Sequence, residues 1–399
     1  MPMLSRVPRN VWVLSLTSLL RDVASEMLVH LLPLFLANVL SVRITLIGLI
    51  EGIAETTASL VKIYSGWLSD KLGRRKGLTA GGYGLAALAM PLLLVAQTWP
   101  IVLLYRFVDR MGKGIRTAPR DALISESVES SQRGASFGLH RAADSAGAFL
   151  GLLLAIFFVW RMQGIGVDLD ARTFRTIVAF AMVPATLAVL VVIVGVREVL
   201  TDGTARLPTM TFRGFDPRFG RFLVVTTLFT LGNSTDAFLV LRAQDGGASV
   251  LAILALLAGF NLVYTMLSGP AGALSDRVGR KRVIIAGWLL YAVVYVGFAW
   301  ADQTWQFAGL YALYGAYYAL TDGVAKAYVA DLVPDPGRRG LAYGAYNGVV
   351  GLTVLPASVV GGILWQGIGE WGGFGAQAPF LFGSGLSLLA VILLWRWVH

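Results

Sequence analysis

About twelve apolar runs follow one another along the chain, at roughly 11–39, 44–68, 77–97, 100–122, 136–160, 174–196, 220–242, 249–269, 283–301, 306–330, 341–365 and 378–397. Each is near the ~20 residues that a helix needs to cross the hydrocarbon layer of a bilayer. Only 14% of the 399 residues are charged, whereas a soluble domain carries about 25%. The fold class expected is an all-α polytopic membrane protein with twelve transmembrane helices. The 46 glycines fit helices packed closely through small residues. The first run continues past any cleavage point after MPMLSRVPRN, so it reads as the first membrane helix rather than a signal peptide.

The basic residues then orient the chain. Twenty Lys and Arg fall in loops on one side, among them Arg74, Arg75, Lys76, Arg120, Arg280, Lys281, Arg338 and Arg339. Five fall on the other: Arg43, Arg161, Arg172, Arg175 and Arg242. The richer side is expected to be cytoplasmic, with both termini there, which requires an even number of spans. This placement also accounts for the net charge of +10 without nucleic acid. With no Cys and three His, disulfides, thiol catalysis and a metal cluster are not expected. No cofactor, P-loop, HExxH or GxSxG is found, and the loops leave no room for an ATP-binding domain. The chain is therefore read as no enzyme, resident in the cell (inner) membrane, a monomer, and driven by an ion or substrate gradient.

The chain also repeats itself. GWLSDKLGRRK at 66–76 recurs as GALSDRVGRKR at 272–282, and Arg133-Gly134 recurs as Arg339-Gly340, both 206 residues apart. One offset at two landmarks argues for an internal duplication, the parallel-repeat plan of many transporters. The expected division is a six-helix bundle over 1–196, a polar linker over 197–220 and a pseudo-symmetric second bundle over 221–399.

Charge inside such spans marks function, because each buried charge costs roughly 2.5–3.5 kcal/mol on the insertion scale. The fourth run carries RFVDRMGKGIRTAPRD at 106–121. Arg106, Asp109, Lys113, Arg116 and Arg120 form one helical stripe, with Arg110 beside it. Facing lipid, the five charges from Arg106 to Arg116 would cost on the order of 15 kcal/mol. A watery cavity is expected to face them. With Asp109 as the only acid on the stripe, a pathway for a polar anion competes with a plain salt-bridge lattice.

The first helix carries Asp22, Glu26 and His30 at four-residue spacing, with Arg21 alongside. A buried carboxylate beside an arginine can load and release a proton; a static bridge from Arg21 to one of these acids, or to helix 4, is the alternative. Glu51, Glu55 and Lys62 share a stripe on the second helix. On the fifth, His140 and Asp144 are four apart, and Arg141 is a substrate candidate. The second half offers Asn233, Asp236, Asn261, Tyr264, Asp322, Lys326, Asp331, Tyr343, Tyr346 and Asn347. This polar, aromatic set suits the body of a substrate, and fits ordinary helix packing equally well.

The two loop segments resemble the major facilitator superfamily. Its motif G-x-x-x-D-[RK]-x-G-R-[RK]-[RK] is matched by Gly66, Asp70, Lys71, Gly73, Arg74, Arg75 and Lys76. The second copy is Gly272, Asp276, Arg277, Gly279, Arg280, Lys281 and Arg282. Arg106 with Gly112 and Gly114 is similar to the family's helix 4 pattern, from which Asp109, Arg110 and Lys113 depart. The helix 5 Gly-Pro motif of drug antiporters is poorly matched. The resemblance implies a secondary transporter whose loop network latches one side: Gly66, Asp70, Arg74, Arg116, Arg120, Asp276, Arg280, Asp322 and Asp331. Arg116 or Arg120 is expected to pair with Asp70, and with Asp322 or Asp331 when the cytoplasmic side is shut.

The function expected is proton-coupled movement of a small polar anion or zwitterion by alternating access. Arg21, Arg106, Arg110, Lys113, Arg141, Asn233, Asn261, Tyr264, Tyr346 and Asn347 would bind substrate. Asp22, Glu26, Glu51, Glu55, Asp109, Asp144 and Asp236 would couple protons. Multidrug efflux is the alternative; a membrane-embedded enzyme or a sensor is a remoter one. Partners are a small solute, protons and the lipid bilayer.

Overall fold

A computed structural model describes residues 8–129, 133–199, 216–333 and 336–398; the side chains of Asp70, of 133–135 and of 336–340 are not among those described. The expected membrane helices are present. They are α1 (Arg9–Val29), α2 (Ile44–Leu72), α3 (Lys76–Ala89), α4 (Trp99–Glu126), α5 (Arg133–Met162) and α6 (Ala171–Gly195). They continue as α7 (Pro217–Gly232), α8 (Ala237–Asp245), α9 (Val250–Val278), α10 (Arg280–Trp300), α11 (Thr304–Leu332), α12 (Pro336–Gln366) and α13 (Ala378–Trp397). With α7 and α8 as two halves of one crossing, these make twelve helical crossings in two six-helix bundles.

Nine segments among the described residues are long and apolar enough to cross a membrane, and α1, α4 and α11 are not among them. Two of these three carry the charged runs of the first half, and α11 carries Asp322 and Lys326. Such helices are stable in lipid only where neighbours cover their polar faces.

Four helix starts are fixed by side-chain caps. Asp170 accepts from Thr173 N at 2.8 Å to begin α6, and Ser249 accepts from Ala252 N at 3.1 Å to begin α9. A Gln303/Gln306 capping box starts α11. Asp216 caps α7 through Arg218 N at 2.8 Å, and the Arg218 guanidinium holds its carboxyl below the usual carboxylate range. The end of α10 is capped from outside: Arg242 donates to the carbonyls of Phe298 at 3.0 Å and Ala301 at 2.6 Å. The sequence reading counts Arg242 as a loop cation. It is instead buried, because it satisfies carbonyls that a helix end leaves open.

Two crossings are broken where the sequence predicts single helices. The first stops at Val29 and resumes as a short helix at Leu32–Leu34, with Pro33 in its first turn, followed by a π-helix at Phe35–Val39. The seventh breaks at 233–236, where Asn, Ser, Thr and Asp side chains compete with the backbone for hydrogen bonds. Thr235 Oγ1 accepts from Ala237 N at 3.3 Å there.

The chain forms two compact units. The first comprises Met1–Ser41, Ile53–Gly164 and Leu169–Leu207. In it α1 packs on α5 and α6, and α3 packs on α4. Gly82 and Gly112 let α3 and α4 meet backbone to backbone: a Cβ on Gly112 would lie 2.6 Å from the Gly82 carbonyl oxygen. Gly112→Val is therefore expected to cost about 1–3 kcal/mol by overpacking, read as a lower melting temperature of the purified protein.

The second unit comprises Val42–Gly52, Ile165–Asp168 and Pro208–His399. Its core is aromatic, with Phe229 stacked on Trp288 at 4.5 Å and Tyr291 on Tyr295 at 4.0 Å. Residues 42–52 and 165–168, placed in the first half by the sequence, cluster here. Thr45 Oγ1 donates to the Gly362 carbonyl at 3.0 Å, and Gly52 lies directly against Leu355. Of the expected linker 197–220, residues 217–220 already belong to α7, while 200–215 lie outside the described residues.

Candidate functional site

The charged faces of α1 and α4 converge inside the first unit on a cavity of about 90 Å³, room for about three waters or one small anionic group. Arg21, Asp22, Glu26, Arg106, Asp109, Arg110, Lys113 and Arg116 line it together with Tyr105 and aliphatic side chains. The four-residue spacing on α1 and the stripe on α4 thus face the same space. Arg106, Asp109, Arg110 and Arg116 are buried within the unit rather than turned to lipid.

The pairing differs from the sequence reading in one respect. Asp109 is the only acid on the α4 stripe, but neighbouring helices bring further carboxylates to it. Arg21 forms a buried ion pair with Asp109, the static bridge to helix 4 that was one of the alternatives. Glu55 of α2 forms an ion pair with Arg110 at 2.9 Å and lies 4.0 Å from Arg106. Glu26 pairs with His30 at 3.2 Å. The cation surplus is therefore smaller than the stripe alone indicates, and it is concentrated at Lys113 and Arg116.

Among the described residues neither of those two forms an ion pair. Arg116 lies over the Tyr83 ring at 4.7 Å, and its Nη1 is buried without a hydrogen-bond partner, as is Arg110 Nε. A buried donor without an acceptor is costly. Arg110 and Arg116 line this cavity, and each keeps a buried donor with unused bonding capacity.

Other candidates lie elsewhere. Arg141 is exposed on α5 and does not line the cavity. His140 is buried 3.7 Å from Asp144, with both ring nitrogens unbonded. Arg120 donates to Asp121 at 2.9 Å and to Ser18 at 3.2 Å. Glu51 is buried in the second unit, so α2 delivers its two acids to different units.

In the second unit Asp236 sits at the α7–α8 break, accepting from Tyr314 at 2.7 Å and Tyr318 at 3.4 Å. Asn233 accepts from Tyr295 at 3.5 Å. Asn261 spends its amide on the Leu257 carbonyl of its own helix at 3.1 Å. Asp322 accepts from Lys326 at 2.8 Å and from Tyr264 at 3.1 Å. Tyr346 stacks parallel to Phe222 with centroids 6.0 Å apart, and Asn347 is exposed.

Each motif copy turns at a glycine. Gly73 and Gly279 both have positive φ, 59° and 95°, a conformation open to glycine and strained for other residues. Gly66 allows close approach to Ala118. Asp70, whose side chain lies outside the described ones, leaves its copy represented by Arg75, which pairs with Glu126 at 2.5 Å. Glu198 accepts from the backbone N–H groups of Arg75 and Lys76 at 2.8 and 2.9 Å. In the second copy Arg280 bonds both Asp276 and Asp331.

Sequence reasoning missed Tyr83, Glu126, Glu198, Tyr314 and Tyr318. For the two last a signal existed: Tyr314, Tyr318 and Asp322 are spaced four apart on one helical face.

Comparison with known proteins agrees with this architecture. The profile described as Major Facilitator Superfamily matches residues 14–209 and 219–399. An uncharacterised MFS-type transporter of Methanocaldococcus jannaschii is 35% identical over 396 residues, covering 97% of this chain and 94% of the relative. The multidrug resistance protein MdtG of Enterobacter lignolyticus is 24% identical over 315 residues, covering 76% of this chain and 69% of that protein. The solved structure of the nucleoside transporter NupG superposes with a TM-score of 0.74 at 14% identity, covering 97% of this chain and 98% of that one. Twelve helical crossings in two bundles, a duplicated loop motif and a match along nearly the whole chain place this protein in the Major Facilitator Superfamily of membrane transporters.

Proposed function

We propose that this transporter carries a small polar anion, or a zwitterion through its anionic end, by alternating access coupled to protons, with both termini in the cytoplasm. The observation that carries the reading is the pair Lys113 and Arg116 on the cavity wall, cationic and without an acid partner among the described residues. A carboxylate or phosphate entering the cavity would supply the acceptors that Arg116 Nη1 and Arg110 Nε lack. Asp22 and Glu26, on the opposing α1 face of the same cavity, are the proposed proton carriers.

Lys113 is the cleanest probe, because it is exposed to the cavity and its removal strands no carboxylate. Lys113→Ala is expected to reduce uptake of the transported anion into liposomes by about tenfold or more with folded yield unchanged. The substrate is to be found first by a thermal-shift screen of organic anions and phosphates across pH. Proton coupling is read with a pH dye inside the vesicles; anion flux that moves no protons removes that part of the reading. The similarity to a multidrug resistance protein favours a second reading, efflux of many compounds. A drug-susceptibility panel on overexpressing cells separates the two.

A further inference from the structure

The second unit contains a carboxylate, Asp236, that two tyrosine hydroxyls hold. Asp236 occupies the N-cap position of α8, yet its side chain makes no capping bond to that helix. Aspartate at this position ordinarily accepts from the first turn. Here the carboxylate is turned to hydroxyls of α11 instead, with Tyr314 donating to Oδ1 at 2.7 Å and Tyr318 to Oδ2 at 3.4 Å. It remains exposed, so a ligand can reach it.

Aromatic rings surround those hydroxyls. Phe260 and Tyr264 of α9 stand 5.4 and 5.9 Å from Tyr318, and Tyr314 stands 5.1 Å from Tyr318 and 5.6 Å from Phe260. One helical turn before Tyr314, the Tyr311 hydroxyl is buried with no hydrogen-bond partner. On the same helix, one turn beyond Tyr318, Asp322 holds Lys326 at 2.8 Å. Tyrosine hydroxyls fix a carboxylate in place without adding positive charge, and ring faces attract a cation through their quadrupoles. An anion is repelled here, and a neutral solute gains only the hydroxyl contacts.

We propose that Asp236, Tyr314, Tyr318 and the rings of Phe260 and Tyr264 form a binding site for a protonated amine attached to an apolar or aromatic body. The ammonium pairs with the Asp236 carboxylate, and the adjoining carbons lie on the rings. The site belongs to the second unit alone and does not depend on the anion reading of the first.

The test uses the purified full-length protein in detergent, with benzylammonium as the probe and benzyl alcohol as its uncharged counterpart, affinities being measured by ligand-observed NMR at pH 7. Wild type is expected to bind benzylammonium more tightly than benzyl alcohol. Asp236→Asn should weaken benzylammonium by about tenfold or more and leave benzyl alcohol unchanged. Tyr318→Leu, at a half-buried position, should weaken benzylammonium by about threefold, through loss of a ring face. Lys113→Ala should alter neither, which separates this site from the first-unit cavity. Equal affinity for the two probes in wild type overturns the proposal. So does undiminished benzylammonium binding in Asp236→Asn or, if that variant does not fold, in Tyr318→Leu.

Discussion

Replacing Arg21 with methionine is expected to destabilise the first unit by about 3–5 kcal/mol, because it leaves the Asp109 carboxylate buried without its cation. The effect is read as lost monodisperse protein on size-exclusion chromatography and a markedly lower melting temperature. The double variant Arg21→Met/Asp109→Leu removes both charges and keeps apolar volume. It should recover the melting temperature to within about 1 kcal/mol of wild type, since a buried ion pair and a well-packed apolar pair are often nearly equivalent in stability. Transport should stay lost in the double variant, because Arg21 and Asp109 also line the cavity. Recovery of both fold and transport would reduce the pair to a static brace.

Arg110→Ala is the second. It takes away the cation closest to Glu55, leaving Arg106 at 4.0 Å as its other ion-pair partner among the described residues. Glu55 is 39% exposed, so solvent softens the loss, and the stability cost should be about 1–2 kcal/mol. Under the proposed anion reading, transport should suffer far more, by about a hundredfold, because a charge-assisted bond from a buried guanidinium is worth roughly 2–3 kcal/mol. Arg110→Ala/Glu55→Gln isolates the two roles. Relieving the stranded carboxylate should restore the melting temperature and leave transport down. Full transport by the double variant in liposomes would remove Arg110 from the substrate path.

Both predictions concern contacts that the order of residues did not reveal. The stripe from Arg106 to Arg116 is visible as helical periodicity, and its burial follows from the cost of placing charge in lipid. Its neutralisation is not visible: Arg21 and Asp109 are 88 residues apart, and Glu55 comes from a third helix. The same holds for Arg75, whose partner Glu126 is distant in sequence, and for Arg242, whose carbonyl acceptors lie 56 to 59 residues away. Asp236 was legible as a polar position near a run of small polar residues. The break that frees it from helix capping, and the tyrosines that hold it, depend on how α8, α9 and α11 pack.

Twelve runs of bilayer length, an offset of 206 residues between two copies of a loop motif, and charge confined to a few helical faces are properties of the chain read along its length. From them alone follow the helical membrane fold, its duplication and the helices that carry its charge. Which carboxylate answers which cation, and which donors are left with unused bonds, was decided only by the tertiary structure. Ion pairing and hydrogen bonding act over a few ångströms between helices far apart in sequence, and periodicity along one helix says which way a side chain points but not what stands opposite it.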